Sequence, residues 1–278
     1  MSKMNAKKKL VFSGSLLVLL LMCLCILFTL DDESSPEEES QASSTKAYEV
    51  KKPAEALEKG NRIFGINISE GREGFGSAFA VAQQAGVEVI ELNIPWNMIE
   101  TAPETYVDPE GVFQAIAFYG EHDIQVFLSL AVINTVDRTT PAHLSDIPFD
   151  DPQVIGSFNN MVDWILRTVP DNVIIPGISI GNEVDLYLEG EDWNAYTQFY
   201  QATSKHIQDR YPDIEVGVKT TVMNGILKKH ELNRVKGINQ TSDVIMLNYY
   251  PLDDNFHVLP PDRVHDHFAQ IVKTFPDK

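Results

Sequence analysis

Cysteine is almost absent from this 278-residue chain, and its two cysteines, Cys23 and Cys25, both lie in an apolar run near the N-terminus. The sequence after that run therefore provides no disulfide framework, no cysteine zinc site and no cysteine nucleophile. Positive charge is also scarce, because 22 lysines and arginines stand against 40 acidic residues and leave a net charge of −18. Such a chain lacks the cationic surface that displaces phosphate counterions, so we predict no nucleic-acid partner.

Phosphate-binding loops and metal-ligand patterns are missing as well. The stretch GINISEGREG, which begins within the first predicted strand, lacks the G-x-G-x-x-G spacing, and the chain contains no P-loop. No pair of histidines has the spacing of metal ligands, so we predict no metal site. These absences weaken a nucleotide-binding interpretation.

The N-terminal 60 residues divide into three segments with different compositions. A basic stub, residues 1–9, precedes an uncharged apolar run, residues 10–30. As a helix this run would span about 31 Å, enough for a hydrocarbon core of roughly 30 Å, and the lysines before it predict export of the chain beyond residue 30. It ends in CILFTLDDE without small residues, so we favour an uncleaved membrane anchor over a cleaved signal peptide. Residues 31–60 are acidic and serine-rich, which predicts a flexible linker.

From residue 61 to residue 278, short apolar runs alternate with longer amphipathic ones. The six strand-like runs are RIFGINI, VEVIELNI, IQVFLSLAVI, VIIPGISI, IEVGVKTTV and SDVIMLNYY. Apolar strands separated by helices predict an α/β protein with a parallel sheet, either a doubly wound open sheet or a (β/α)8 barrel. We favour an incomplete barrel of about six βα units, because polar and aromatic residues collect just after the strands, where a barrel builds its active-site face.

The stretch IPGISIGNEVDLYL contains the most informative of these strand ends. Its isoleucines favour burial, whereas Asn182 and Glu183 have no reason to follow a buried strand unless a site lies at its end. Similar candidates lie at the end of the second predicted strand (Asn93 and Trp96) and of the sixth (Tyr249 and Tyr250).

An Asn-Glu pair at the end of the fourth strand resembles the acid/base signature of glycoside hydrolase clan A. The resemblance runs from about residue 62 to the end of the chain and includes ELNIPWNMIE and SDVIMLNYYPL. The sequence is most similar to the family 53 endo-galactanases, with the family 5 endoglycanases close behind. This resemblance implies a (β/α)8 glycosidase of the retaining type that hydrolyses β-galactan or a related β-linked polysaccharide and needs no cofactor.

The resemblance also assigns roles to the candidate residues. Glu183 becomes the general acid/base, and Asn182 becomes the ligand of the sugar 2-hydroxyl. A retaining mechanism needs a second carboxylate, roughly 5 Å away, as the nucleophile. One of the two adjacent tyrosines would keep that nucleophile ionised while the other faces the helix layer, and we favour Tyr249 over Tyr250 for the site.

The second predicted strand departs from the clan pattern. Many clan members have an arginine there that supports the nucleophile, whereas this chain has Glu91 and Asn93. We retain Asn93 as a substrate-binding candidate. Trp96 comes next in a loop, where its ring either stacks on a sugar or packs in the core, and we include it among the substrate-binding candidates.

The seventh strand, which carries the nucleophile in this clan, has no counterpart before Lys278. Two more βα units would need roughly 70 further residues. We therefore expect the nucleophilic glutamate to lie beyond residue 278, and we expect the chain as given to be inactive.

Two alternatives to a glycosidase stay open. The chain could be a non-catalytic, membrane-tethered pseudoenzyme that binds carbohydrate. It could also be another barrel enzyme that uses a Schiff-base lysine, for which Lys219 is the only lysine at a strand end. The expected partners are an oligosaccharide or polysaccharide and, through residues 10–30, a membrane.

Overall fold

The computed structural model describes residues 60–69, 72–253 and 255–278. The basic stub, the apolar run and all but the last residue of the predicted linker lie outside these ranges, so the membrane anchor and the linker stay predictions. Within the described ranges, no helix has the length and apolar character needed to cross a membrane.

Strands and helices alternate along the described chain as the hydrophobic pattern predicts. The strands are β1 (Val89–Pro95), β2 (Glu100–Ala102), β3 (Thr105–Tyr106), β4 (Gln125–Asn134), β5 (Asp137–Arg138), β6 (Gly177–Asn182), β7 (Glu215–Gly217), β8 (Lys219–Thr221) and β9 (Met246–Asn248). The α-helices are α1 (Phe75–Gln84), α2 (Trp96–Ile99), α3 (Val112–Glu121), α4 (Pro152–Thr168), α5 (Asp192–Arg210), α6 (Lys229–Ile238) and α7 (Pro261–Thr274). Shorter 3-10 and π-helical turns include Val184–Leu186 and Val222–Ile226.

The parallel strands lie side by side in the order in which they occur along the chain. β1 pairs with β4, β4 with β6, and β6 with β7, while β8, which continues β7 after a break at Val218, pairs with β9. Gly65 bridges Val89 in parallel and so precedes β1 in the same order. A doubly wound sheet reverses its strand order at a switch point, whereas this order continues in one direction, as in part of a barrel. The predicted α/β class with parallel strands is therefore confirmed.

The first and last predicted strands are shorter than the sequence suggests. RIFGINI forms only the single bridge between Gly65 and Val89. The next backbone nitrogen in the ladder, that of Glu91, donates to the side-chain oxygen of Asn67 (3.2 Å) and not to a backbone carbonyl, so the pairing does not extend. β9 ends at Asn248, so it includes neither of the two tyrosines. The β2–β3 hairpin and the short strand β5, both antiparallel, were not predicted.

The core lies between the parallel strands and the helices. In β4, Val126, Leu128 and Leu130 are buried in the apolar core, whereas Ser129 faces the barrel interior, where it meets Lys219. The fully buried residues of α4 and α5 recur at helical spacing and include Val154, Phe158, Ile165, Tyr196, Phe199, Tyr200 and Ile207. Burying one such large side chain contributes about 1.5–3 kcal/mol, so this stripe fixes both helices against the strands and holds the strand ends in place.

Candidate active site

Glu183 is placed by an unusual backbone turn at the end of β6. Gly181 has a φ of 90° and Glu183 a φ of 53°, so the chain leaves the strand through two residues of positive φ. A Cβ on Gly181 would lie 2.4 Å from the hydroxyl of Tyr196 and 2.6 Å from Val184, which explains why glycine stands there. The turn leaves Glu183 at the carboxyl edge of the sheet, where it is only 7% exposed.

Both oxygens of the Glu183 carboxylate accept a hydrogen bond from another strand end. The hydroxyl of Thr135, which lies just beyond β4 with a φ of 59°, donates to Oε2 over 3.0 Å. The side-chain amide of Asn248, at the end of β9, donates to Oε1 over 2.8 Å. A buried carboxylate needs such donors, because an unpaired one would lose its hydration without compensation. The two bonds also fix the orientation of the carboxylate.

Four asparagines from four strands form a continuous hydrogen-bonded row beside Glu183, which we call the asparagine row. Asn248 also donates to Asn182 (3.2 Å), Asn182 donates to Asn134 (3.0 Å), and Asn93 donates to the same oxygen of Asn134 (3.1 Å). The structure thus brings together Glu183, Asn182 and Asn93, which the sequence singled out. Asn134 and Asn248 are visible in the sequence only as polar residues at strand ends.

Thr135 is the site residue that sequence reasoning missed. It lies one residue beyond β4, and its left-handed φ of 59° turns the chain into the short antiparallel strand β5. Gly, Asn and Asp are the residues that most often adopt such a φ, so a threonine does not indicate a left-handed turn in the sequence. The position of Thr135 beside Glu183 is therefore evident only from the structure.

The two adjacent tyrosines face opposite ways, and their assignment has to be corrected. The hydroxyl of Tyr249 hydrogen-bonds Nδ1 of His267 over 2.8 Å, and its ring packs edge-on against Phe268, so Tyr249 belongs to the helix layer. Tyr250 is 57% exposed and lies near Glu183. Partial burial, with smaller contributions from the charge and hydrogen bonding of the Glu183 carboxylate, raises the pKa of Tyr250. Tyr250, and not Tyr249, is therefore the tyrosine of the site.

Trp96 belongs to the core, which corrects the expectation that its ring offers a sugar-stacking face. It begins α2 directly after Pro95 and is 0% exposed. Its ring nitrogen donates to Oε2 of Glu100 over 2.8 Å, and its ring meets Phe158 edge-on at 5.2 Å between centroids. No face of the indole is left for a ligand.

Two other carboxylates of the described residues, Asp185 and Glu91, have partners of their own. Asp185 accepts from the backbone nitrogen and hydroxyl of Thr221 (2.8 and 2.7 Å) and from the amide of Asn224 (3.0 Å), and burial raises its pKa in spite of these bonds. Glu91 forms an ion pair with Lys219 inside the barrel. Glu183 is thus the carboxylate that the asparagine row presents at the edge of the sheet.

Comparison with known proteins finds solved structures of similar fold but no similar sequence. No protein-family model and no curated protein sequence matches the chain. The fold is similar to an exo-beta-1,4-mannosidase from Opitutaceae bacterium strain TAV5, with 17% identity and a TM-score of 0.52 over 68% of this chain and 38% of that one. It is also similar to the GH53 catalytic domain of Ignisphaera aggregans, with 16% identity and a TM-score of 0.51 over 70% of this chain and 55% of that one.

A third similar structure is GH5_18 from Streptomyces cattleya in complex with GlcNAc, with 14% identity and a TM-score of 0.53 over 68% of this chain and 51% of that one. The predicted resemblance is confirmed at the level of the fold, which is similar to that of these glycoside hydrolases. The chain covers 38% to 55% of the length of these three proteins.

Proposed function

We propose that the protein is an exported glycoside hydrolase of the retaining type, with β-galactan or a related β-glycan as its substrate. The observation that carries the proposal is the Glu183 carboxylate, which is 7% exposed and held by Thr135 and Asn248 at the carboxyl edge of the sheet. In a barrel this edge is where active sites are built. The similarity of the fold to the GH53 catalytic domain and to GH5_18 supports the proposal.

The position and the hydrogen-bond partners of Glu183 support its role as the general acid/base. It would first protonate the departing glycosidic oxygen and then, as a carboxylate, remove a proton from the attacking water. Asn248 donates to both Glu183 and Asn182, so the acid and the ligand proposed for the sugar 2-hydroxyl are held in one geometry. Tyr250, beside Glu183, borders the same position.

The nucleophile is proposed to come from outside the present chain. Among the described carboxylates, Glu91 is paired with Lys219, and Asp185 accepts hydrogen bonds from Thr221 and Asn224. Sequencing the source nucleic acid past the codon for Lys278 tests this point. An apolar strand ending in glutamate supports the retaining mechanism, and a stop codon contradicts it.

A non-catalytic carbohydrate-binding protein is the second candidate, and the engagement of Glu91 and Asp185 is the observation that favours it. Binding of oligosaccharides without any hydrolysis, by a chain whose coding sequence ends at Lys278, would select this candidate.

The decisive experiment for Glu183 uses the protein encoded by the complete reading frame. Glu183→Gln should lower the rate on β-1,4-galactan, mannan or glucan by about 10²–10⁴-fold, because these sugar leaving groups need protonation. Aryl β-glycosides with a dinitrophenolate leaving group need little protonation in the bond-breaking step. Glu183→Gln should therefore lower the rate of that step much less for these substrates. The exposed Glu189→Gln variant, six residues further along the chain, is the matched control. Unchanged hydrolysis of the polysaccharide by Glu183→Gln would contradict the proposal.

Export and membrane anchoring rest on the apolar run of residues 10–30 and the lysines that precede it. An anchored protein should stay with the membrane fraction through a high-salt wash. Release as a shorter soluble species would indicate a cleaved signal peptide instead.

A further inference from the structure

The interior of the barrel contains a charged pair beside an open cavity. The cavity has a volume of about 580 Å³ and is bordered by residues of the parallel strands from Gly65 to Asn248. Bulky branched side chains ordinarily fill a barrel interior. Here the inward positions at this level carry Glu91, Ser129 and Lys219 instead.

Lys219 and Glu91 retain hydrogen-bonding capacity that other protein groups do not use. The Lys219 side chain is 7% exposed, and its ammonium group pairs with Oε1 of Glu91 and lies 3.4 Å from the hydroxyl of Ser129. The Glu91 side chain is 32% exposed. An ammonium has three protons, so one is left over. Among the residues that the structure describes, Oε2 of Glu91 has no hydrogen-bond partner. Because Glu91 is partly exposed and borders the cavity, its second oxygen and the remaining proton of Lys219 can bind a ligand there in place of water.

The pair lies one layer beneath the asparagine row. Glu91 precedes Asn93 by two residues on β1, so both side chains point to the same side of the strand. Lys219 pairs with Met246 in register, two positions before the pair of Thr221 with Asn248. The charge of Glu91 also contributes to the raised pKa of Tyr250, after partial burial and the effects of Glu183, so the two layers interact.

We propose that Glu91 and Lys219 form a recognition site for two neighbouring hydroxyl groups of the sugar bound at Glu183. This inference rests on the proposed function. One hydroxyl donates to Oε2 of Glu91, and the other accepts from the ammonium of Lys219. Because the carboxylate neutralises the ammonium, the site selects a neutral sugar and not a uronic acid. Because the pair is fixed, it discriminates between epimers whose hydroxyls point differently.

The test compares binding of β-1,4-galactobiose, β-1,4-mannobiose and cellobiose by isothermal titration calorimetry. A site built to hydrogen-bond a hydroxyl rejects an analogue that leaves its groups unpaired, so we expect the unmodified protein to prefer one disaccharide by more than about tenfold. Glu91→Gln and the double variant Glu91→Gln with Lys219→Met should reduce that preference to within about threefold. The double variant leaves no single buried charge and so keeps the test valid if Glu91→Gln alone does not fold.

Glu215→Gln is the matched control, because Glu215 borders the same cavity at the opposite, amino-terminal end of the strands. It should retain the preference of the unmodified protein. If Glu91→Gln and the double variant retain that preference, the inference about the recognition site is wrong. The proposed function would still stand in that case, provided that hydrolysis depends on Glu183. Failure of the unmodified protein to bind any of the three disaccharides would overturn both the inference and the proposed function.

Discussion

The side-chain amide of Asn248 donates to the Glu183 carboxylate over 2.8 Å, although 65 residues separate the two in sequence. The same amide donates to Asn182, so one group from β9 orients both residues at the end of β6. The candidate site is therefore a product of the parallel arrangement, in which the carboxyl ends of separate strands meet at one edge.

Replacing Asn248 with alanine should lower kcat for polysaccharide hydrolysis by about 10–100-fold. A hydrogen bond to a charged group contributes about 1.5–3 kcal/mol, and here it orients the proposed acid. The free energy of unfolding should also fall by about 1–3 kcal/mol, because Oε1 of the buried Glu183 carboxylate loses its donor. Asn194→Ala, on the exposed face of α5, is the control. A kcat equal to that of the unmodified protein would show that Asn248 does not orient the acid.

Tyr250 should titrate at a higher pH than a free tyrosine, and Glu183 should be part of the reason. Glu183→Gln removes the charge that disfavours the phenolate, so the pKa of Tyr250 should move down towards 10. NMR titration of Cζ-labelled tyrosine, with Tyr250→Phe for assignment, measures this shift. The Tyr249 signal serves as an internal control, and an unchanged Tyr250 signal would argue against its place beside Glu183.

The assignment of the two tyrosines shows where sequence reasoning stops. Asn248 faces the site at the end of β9, and beyond the strand Tyr249 contacts His267 while Tyr250 lies near Glu183. The sequence LNYYP does not reveal which of the three residues faces inward. That choice depends on how β9 pairs with β8, which is a long-range contact.

Other parts of the structure were predictable for a clear reason. The alternation of apolar strands and amphipathic helices indicates the fold class, because burial patterns follow the period of each element. The strand-end position of Asn182 and Glu183 indicates the site. The burial of Trp96 was not predictable, because it depends on Phe158, which meets the indole only after α2 and α4 pack together.

Trp96→Phe tests this correction by separating stability from substrate binding. The change removes a bond to buried Glu100 and part of a fully buried ring, so we expect a loss of about 2–4 kcal/mol in the free energy of unfolding. KM should stay unchanged, because the ring contacts no substrate. Urea denaturation and steady-state kinetics on the same sample give both values. A raised KM at unchanged stability would restore Trp96 as a sugar-stacking residue.

Asp185 should make a pH-dependent contribution to stability. Because burial raises its pKa in the folded state above 3.8, protonation favours folding, and this contribution is largest below pH 3.8 and is lost as the pH rises through the raised value. Asparagine cannot ionise, so the stability of the unmodified protein relative to Asp185→Asn should decrease as the pH rises above 3.8. Urea denaturation between about pH 3.5 and 7 measures this difference, with exposed Asp213→Asn as the baseline. A constant difference would contradict the prediction.

Gly181 provides the most direct test of how the turn before Glu183 is built. Alanine at this position would have a strained φ near 90° and a Cβ 2.4 Å from the hydroxyl of Tyr196, so Gly181→Ala should cost about 3 kcal/mol or more of stability. Removing that hydroxyl relieves the clash with Tyr196 and leaves the strained φ and the close approach to Val184. The cost of Gly181→Ala should therefore be smaller in a Tyr196→Phe background, although Tyr196→Phe is itself destabilising because the hydroxyl donates to Ile180 over 3.0 Å. A double-mutant cycle by urea denaturation measures the coupling, and strict additivity would mean that the hydroxyl does not enforce the turn.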